Sequence, residues 1–111
     1  MRSRSARLFA YGTLANAAAR TRLLGRETRA VHARLAGFER GRARYIYIAP
    51  NSGATVVGVV IDGLGAPDFS ILDEYEEVPR LYTRQSVVVT TDGGWRLRCW
   101  VYIPTGWERE A

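Results

Sequence analysis

The stretch Leu8-Phe9-Ala10-Tyr11-Gly12-Thr13-Leu14 starts as a strand and ends as a turn. Arg7–Tyr11 is apolar and aromatic, the composition of a short β-strand. Gly12 breaks it. The Ala-rich run Ala17–Leu24 then has helical composition, with Asn16 as candidate N-cap and Gly25 as C-terminal stop. A glycine between a strand and a helix start lets the chain turn so that consecutive N–H groups point outward, and such groups seat a carboxylate or phosphate. Four residues such as Tyr11–Leu14 form a plain strand-to-helix turn more often than an anion site, so other segments must decide between the two.

Working outward, Thr28–Leu35 has mixed patterning and is expected as a strand, and Arg44–Ala49 is aromatic and β-branched, also a strand. Pro50-Asn51-Ser52-Gly53 has the residues of a turn. Thr55–Ile61 is nearly continuous in apolar residues, as for a strand buried on both faces, and Gly58 inside it marks a bend or a close backbone approach. Ala66–Glu77 is expected as a helix. Tyr82–Thr91 and Trp95–Ile103 are strands around the hairpin loop Asp92-Gly93-Gly94. Strands outnumber helices and connections are short. The expected fold class is α+β: a small mixed, β-barrel-like sheet with one or two short helices, in a single domain over residues 1–111.

The expected helix ends on Leu72-Asp73-Glu74-Tyr75-Glu76-Glu77, with four carboxylates where the helix dipole is already negative. Phe69, Leu72, Asp73 and Glu76 share one face, which runs from apolar to acidic. Crowded acids raise one another's pKa, which suits a general acid/base. A solvated acidic face offset by nearby arginine is the plainer alternative, and on these residues alone the more common one.

Composition narrows the function. Hydrophobic residues make up 47% of the chain, which excludes a disordered protein. No apolar run approaches the roughly 20 residues of a membrane span. The basic start Met1–Arg7 is followed by too short an apolar stretch for a secretory signal, so the expected location is the cytoplasm. The single Cys99 and single His32 give no disulfide and no usual zinc set, so no metal and no cofactor are expected. Cys99 is expected as a small buried hydrophobe, His32 at the surface. The net charge is +5, and residues 1–44 hold eleven arginines against Glu27 and Glu39. A basic end can signal nucleic acid. All sixteen basic residues are arginine, however, which points to compositional bias and weighs against that partner.

In order and spacing, Leu8–Leu14, Val57-Gly58-Val59-Val60, Leu72-Asp73-x-Tyr75-Glu76, Tyr82-x-Arg84-x-x-Val87 and Cys99-Trp100-Val101-Tyr102 resemble the gamma-glutamylcyclotransferase-like family, which includes gamma-glutamylamine cyclotransferase and the avirulence-induced-gene-like proteins. Many of its members carry glycine where this chain has Glu77. The resemblance implies a cofactor-independent enzyme that releases 5-oxoproline and a free amine from a small gamma-glutamyl substrate. It implies Glu76 as catalytic acid/base and the Tyr11, Gly12, Thr13 and Leu14 backbone as anchor for the substrate's α-carboxylate. Tyr82 and Tyr102 are candidate pocket walls or hydroxyl donors, or else core aromatics with satisfied hydroxyls. Asp73, one helical turn before Glu76, is a candidate support for it. Arg84 follows Tyr82 on the same strand face and is expected in an ion pair near Glu76, or on the substrate. Two other functions compete: a member of the same fold that binds a small molecule without turnover, and an arginine-rich nucleic-acid module.

Overall fold

The computed structural model describes residues 5–42 and 46–106. In chain order these form β1 (Ala6–Ala10), a 3-10 turn (Thr13–Ala15), α1 (Ala17–Leu24), β2 (Ala30–Arg42), β3 (Ile46–Leu64), α2 (Ala66–Tyr75), β4 (Tyr82–Thr91) and β5 (Arg96–Pro104). The strands close into a barrel in the order β1-β3-β2-β4-β5. Four contacts are antiparallel. The fifth joins β1 and β5 in parallel, with Leu8 opposite Trp100. This is the small mixed barrel with helices that the sequence implies.

Alternation along the strands builds two cores, because successive side chains leave opposite faces. On β1, Phe9 faces into the barrel with Ala33, Leu35, Val56, Val60, Val89, Val101 and Ile103. Leu8 and Ala10 face outward and are covered, with Ile61, Leu64 and Tyr102, by Leu24 of α1 and by Phe69 and Leu72 of α2. Cys99 lies inside the barrel, and burial pushes its thiol up to about 11. His32 is exposed on β2.

The helices start and stop for local reasons. The Asn16 side chain accepts from the Ala19 N–H at 3.0 Å, and Gly25 ends α1 in the left-handed region at φ 78°. At the start of α2, Asp68 accepts from the Gly65 N–H at 2.8 Å and takes both terminal nitrogens of Arg26. The Arg26 guanidinium therefore holds the Asp68 carboxyl below its ordinary range, and it ties the end of α1 to the start of α2.

Three sequence expectations need correction. The expected strand Thr28–Leu35 begins at Ala30 and runs on to Arg42. Pro50–Gly53 is not a chain reversal but a bulge within the long β3: the register steps from Phe38 opposite Pro50 to Ala36 opposite Thr55. The Asn51 side chain accepts the Gly53 N–H at 3.1 Å, so the bulge satisfies itself while β2 continues beside it. Of the expected strand Arg44–Ala49, Arg44 and Tyr45 lie outside the described residues, and the rest belongs to β3. Finally, α2 stops at Tyr75 rather than Glu77.

Gly58 lies where β3 crosses close under β1. A Cβ there would come within 2.4 Å of the Ala10 carbonyl oxygen and 2.7 Å of the Phe9 ring. Backbone cannot yield as a flexible side chain can, so Gly58→Ala should lower stability by about 1–3 kcal/mol. Urea unfolding measures it; an unchanged midpoint would mean that β1 rides further from β3 than described.

The end of α2 is a Schellman motif. The Glu77 N–H donates to the Glu74 carbonyl at 3.1 Å and the Val78 N–H to the Asp73 carbonyl at 2.9 Å, with Glu77 in the left-handed region at φ 56°. Glycine is the inexpensive residue there, which would account for the glycine expected at this position from the resemblance. A side chain costs about 1–2 kcal/mol in this conformation, and glycine loses about 0.5–1 kcal/mol more backbone entropy on folding. The Glu77–Arg80 ion pair is exposed and contributes little. Glu77→Gly should therefore stabilise the protein by roughly 0.5–1 kcal/mol in the same assay; a loss of stability would show that the ion pair outweighs the backbone.

Candidate active site

β1 delivers Tyr11 to the barrel rim. The Tyr11 hydroxyl is buried and donates to the Tyr102 carbonyl at 2.6 Å, and burial pushes its pKa far up, so it stays a neutral donor. After it the chain makes its 3-10 turn: the Ala15 N–H donates to the Gly12 carbonyl and the Asn16 N–H to the Thr13 carbonyl, both at 3.0 Å. The N–H groups of Gly12, Thr13 and Leu14 stand outside those bonds. Gly12 itself has φ −118°, and an added Cβ would meet Ile46 only at 3.9 Å. What a side chain would change is the space in front of Ile46.

Across from this turn lies the end of α2. Asp73 accepts from the Tyr102 hydroxyl at 2.7 Å and pairs with the Arg84 Nε at 2.9 Å on the same oxygen. The Arg84 guanidinium lies over the Phe69 ring at 4.6 Å and the Trp100 ring at 4.8 Å, a cation–π arrangement that fixes its plane. This network ties the last full turn of α2 to β4 and β5. Glu76 comes next, as helix C-cap, its N–H donating to the Leu72 carbonyl. Burial pushes the Glu76 carboxyl up to about 7. The cause is desolvation and not the crowding of acids expected from the sequence. Asp73 has Arg84 and Tyr102 as partners, and Glu77 has Arg80, so the neighbouring carboxylates are engaged with their own donors.

Between the two walls is a cavity of about 310 Å³. Tyr11, Gly12, Thr13 and Leu14 line one side and Glu76 the other, with Tyr82 and Tyr102 between them. The Tyr82 hydroxyl donates to the Ile46 carbonyl at 3.1 Å, so Tyr82 is a wall with an engaged hydroxyl, and the Tyr102 hydroxyl is held by Asp73. Asp73 and Arg84 do not line the cavity; they sit behind Glu76 and Tyr102. Sequence reasoning missed Ile46, Tyr75 and Leu81 as lining residues, and it missed Arg20, buried behind the turn. Hydrophobic pattern gave no signal for the first three, because each belongs equally well to a core. Among the described residues, no three His, Cys, Asp or Glu side chains gather as a metal-ligand set, and no helix is long and apolar enough to cross a membrane.

Taken chemically, the site offers one carboxyl group able to exchange a proton near neutrality, facing a turn whose first N–H groups have no acceptor among the described residues, across a small, mostly apolar space. That pairing suits a compact substrate carrying an anionic group and a centre that must lose or gain a proton.

Comparison with known proteins agrees with this architecture. An AIG2-like protein C of Arabidopsis thaliana is 35% identical over 100 residues, covering 86% of this chain; the chain spans 57% of that protein's length. The solution structure of another Arabidopsis thaliana protein superposes with a TM-score of 0.80 at 27% identity, covering 94% of this chain and 66% of that one. A structure titled gamma-glutamyl cyclotransferase superposes with a TM-score of 0.78 at 24% identity, covering 92% and 68%, and shares the fold. The family model described as gamma-glutamyl cyclotransferase, AIG2-like, matches residues 8–111, and the chain belongs to that family.

Proposed function

We propose that this chain is a gamma-glutamyl (or gamma-glutamylamine) cyclotransferase, with Glu76 as its general acid/base. The observation that carries the proposal is the buried Glu76 carboxyl, poised near neutrality in the same cavity as the Tyr11–Leu14 turn. Membership of the family supports the substrate class.

In this mechanism the substrate's α-carboxylate rests on the Gly12–Leu14 N–H groups. That anchor, with the apolar walls, folds the gamma-glutamyl chain so that its α-nitrogen faces its own γ-carbonyl carbon. Holding both reacting atoms in one molecule supplies several kcal/mol. Ionised Glu76 takes a proton from the α-ammonium. The freed nitrogen attacks the γ-carbonyl, closing a five-membered ring and placing negative charge on the carbonyl oxygen. When this intermediate collapses, the bond from the γ-carbon to the leaving nitrogen breaks and that nitrogen takes the proton from Glu76; Glu76, ionised again, then takes the second proton of the ring nitrogen and passes it to the released amine, which departs protonated. The products are 5-oxoproline and a free amine, and Glu76 returns ionised. A carboxyl near 7 suits both transfers, since it accepts and returns the proton at similar cost.

Turnover is tested by incubating the protein with a panel of gamma-glutamyl amines and amino acids and detecting 5-oxoproline by mass spectrometry. Glu76→Gln keeps the shape and loses both transfers, so turnover should fall by about 10²–10⁴ or more. Asp73→Asn and Glu77→Gln should be milder. Because Glu76 must start ionised, kcat/KM should rise about tenfold per pH unit below pH 7 and level off above it. Wild type inert on every compound, yet binding one tightly, would favour a non-catalytic member of the fold.

The same carboxyl links stability to pH. Its folded pKa of about 7 lies above the ordinary 4.5, so between those values the folded state holds more protons than the unfolded one. Stability must then fall as pH rises through this window and stay lower above 7. Glu76→Gln removes that loss and should be more stable than wild type at pH 8 by about 1–3 kcal/mol, an advantage that vanishes near pH 4. Thermal or urea unfolding at the two pH values checks it; an equal difference at both would place the carboxyl in water.

A further inference from the structure

Arg20 is the one arginine of α1 that is buried, at 4% exposure. Arginine is costly to bury, and buried arginines usually have a carboxylate partner. The half-buried Arg84 has Asp73, and even the exposed Arg26 and Arg80 have carboxylate partners. Arg20 has three neutral partners instead. Its Nη1 donates to the Leu14 and Ala15 carbonyls, both at 3.1 Å, and its Nε donates to the Thr28 hydroxyl at 3.0 Å. Its own backbone N–H donates to the Asn16 carbonyl at 3.1 Å. One residue thus takes three successive carbonyls, of Leu14, Ala15 and Asn16, while the N–H groups of Ala15 and Asn16 close onto Gly12 and Thr13. Every peptide group in the second half of the turn is fixed. The first half, Gly12–Leu14, is what lines the cavity.

We propose that Arg20 is a positioning residue for the reaction: its guanidinium locks the turn so that the Gly12–Leu14 N–H groups stay available to the substrate's carboxylate, and its charge, with no carboxylate partner among the described residues, favours an anion on the far side of Leu14. The charge acts through a poorly polarisable wall, where it reaches further than in water. A carboxylate partner on Arg20 would cancel that field, and a neutral residue would release the carbonyls. The proposal rests on the cyclotransferase reading for its substrate, but the locking of the turn does not.

The test compares wild type with Arg20→Gln and Arg20→Lys in three measurements. Amide hydrogen exchange reports the turn. Titration with 5-oxoproline, followed on the Gly12, Thr13 and Leu14 amide resonances, reports carboxylate binding without turnover. Steady-state kinetics on the best gamma-glutamyl compound separates KM from kcat. In Arg20→Gln, exchange at Ala15 and Asn16 should quicken by about tenfold or more while the β3 amides stay protected, since two or three hydrogen bonds are lost locally. The 5-oxoproline Kd and the KM should each rise by about tenfold or more, with kcat within about threefold of wild type, the pattern of lost ground-state anchoring. Arg20→Lys keeps the charge but not all three bonds and should fall between, and it carries the test if Arg20→Gln does not fold. Wild-type Kd and KM in a folded variant, with only the unfolding midpoint lowered, would overturn the proposal and leave Arg20 a structural tie. Wild type that binds 5-oxoproline in an Arg20-dependent way but turns over no gamma-glutamyl compound would sink the catalytic function and sustain the positioning role.

Discussion

β1 is covered on both faces, and most of the molecule follows from that constraint. Phe9 fills the barrel while Leu8 and Ala10 on the opposite face meet the helix-covered core. A five-residue strand so enclosed has no freedom to slide, because a one-residue slip would exchange its two faces. Gly58 allows the closest approach, with the β3 backbone passing directly under Ala10. The position of Tyr11 and of the turn after it is therefore set by the barrel core rather than by the turn's own residues. This places one wall of the cavity on a strand enclosed on both faces, the rigid support that a precise binding site needs.

The opposite wall is held differently. A helix end is a weak platform, since its last carbonyls lack partners and its dipole disfavours acids. Here the last turn is secured from the side. Asp73 is gripped by Tyr102 and Arg84, and Arg84 by two aromatic faces, so the Asp73 charge is already paired. Without a cation of its own among the described residues, and turned into a mostly apolar cavity, Glu76 has its pKa raised by desolvation. Had Arg84 faced Glu76 instead, the carboxyl would have been held low and could not return a proton at neutral pH. The division of partners between two acids one helical turn apart thus decides which supports the helix and which is free to exchange a proton.

Much of this was legible in the sequence, for reasons that differ by segment. Strand alternation and the Asp92-Gly93-Gly94 loop locate β4 and β5, because hairpin chemistry is local. Asn16 and Gly25 locate α1 for the same reason. The seven residues expected in the site (Tyr11, Gly12, Thr13, Leu14, Glu76, Tyr82 and Tyr102) line one cavity, although they come from four separate stretches of chain. The failures were cases in which tertiary pairing overrode local preference. Pro50–Gly53 has every local mark of a reversal, yet the continuous β2 beside it absorbs the residues as a bulge. The helix end shifted by two residues because Glu77 adopts a conformation usually reserved for glycine. Arg20 was invisible, since nothing in an Ala-rich helix distinguishes a buried arginine from a solvated one.

The two walls are fastened by separate means, yet they are not independent. The Tyr11 hydroxyl donates to the carbonyl of Tyr102, and the hydroxyl of that same Tyr102 donates to Asp73. A single residue of β5 therefore joins the end of β1 to the last turn of α2, through its backbone on one side and its side chain on the other. The first bond is buried and the second partly so, and away from water a hydrogen bond is stronger and an unmade one more costly. The separation between the N–H-bearing turn and the Glu76 carboxyl is thus set by one rigid aromatic residue and two short hydrogen bonds rather than by loops. For the proposed intramolecular ring closure that dimension matters most, because such a reaction needs one small molecule held folded between an anchor and a proton carrier.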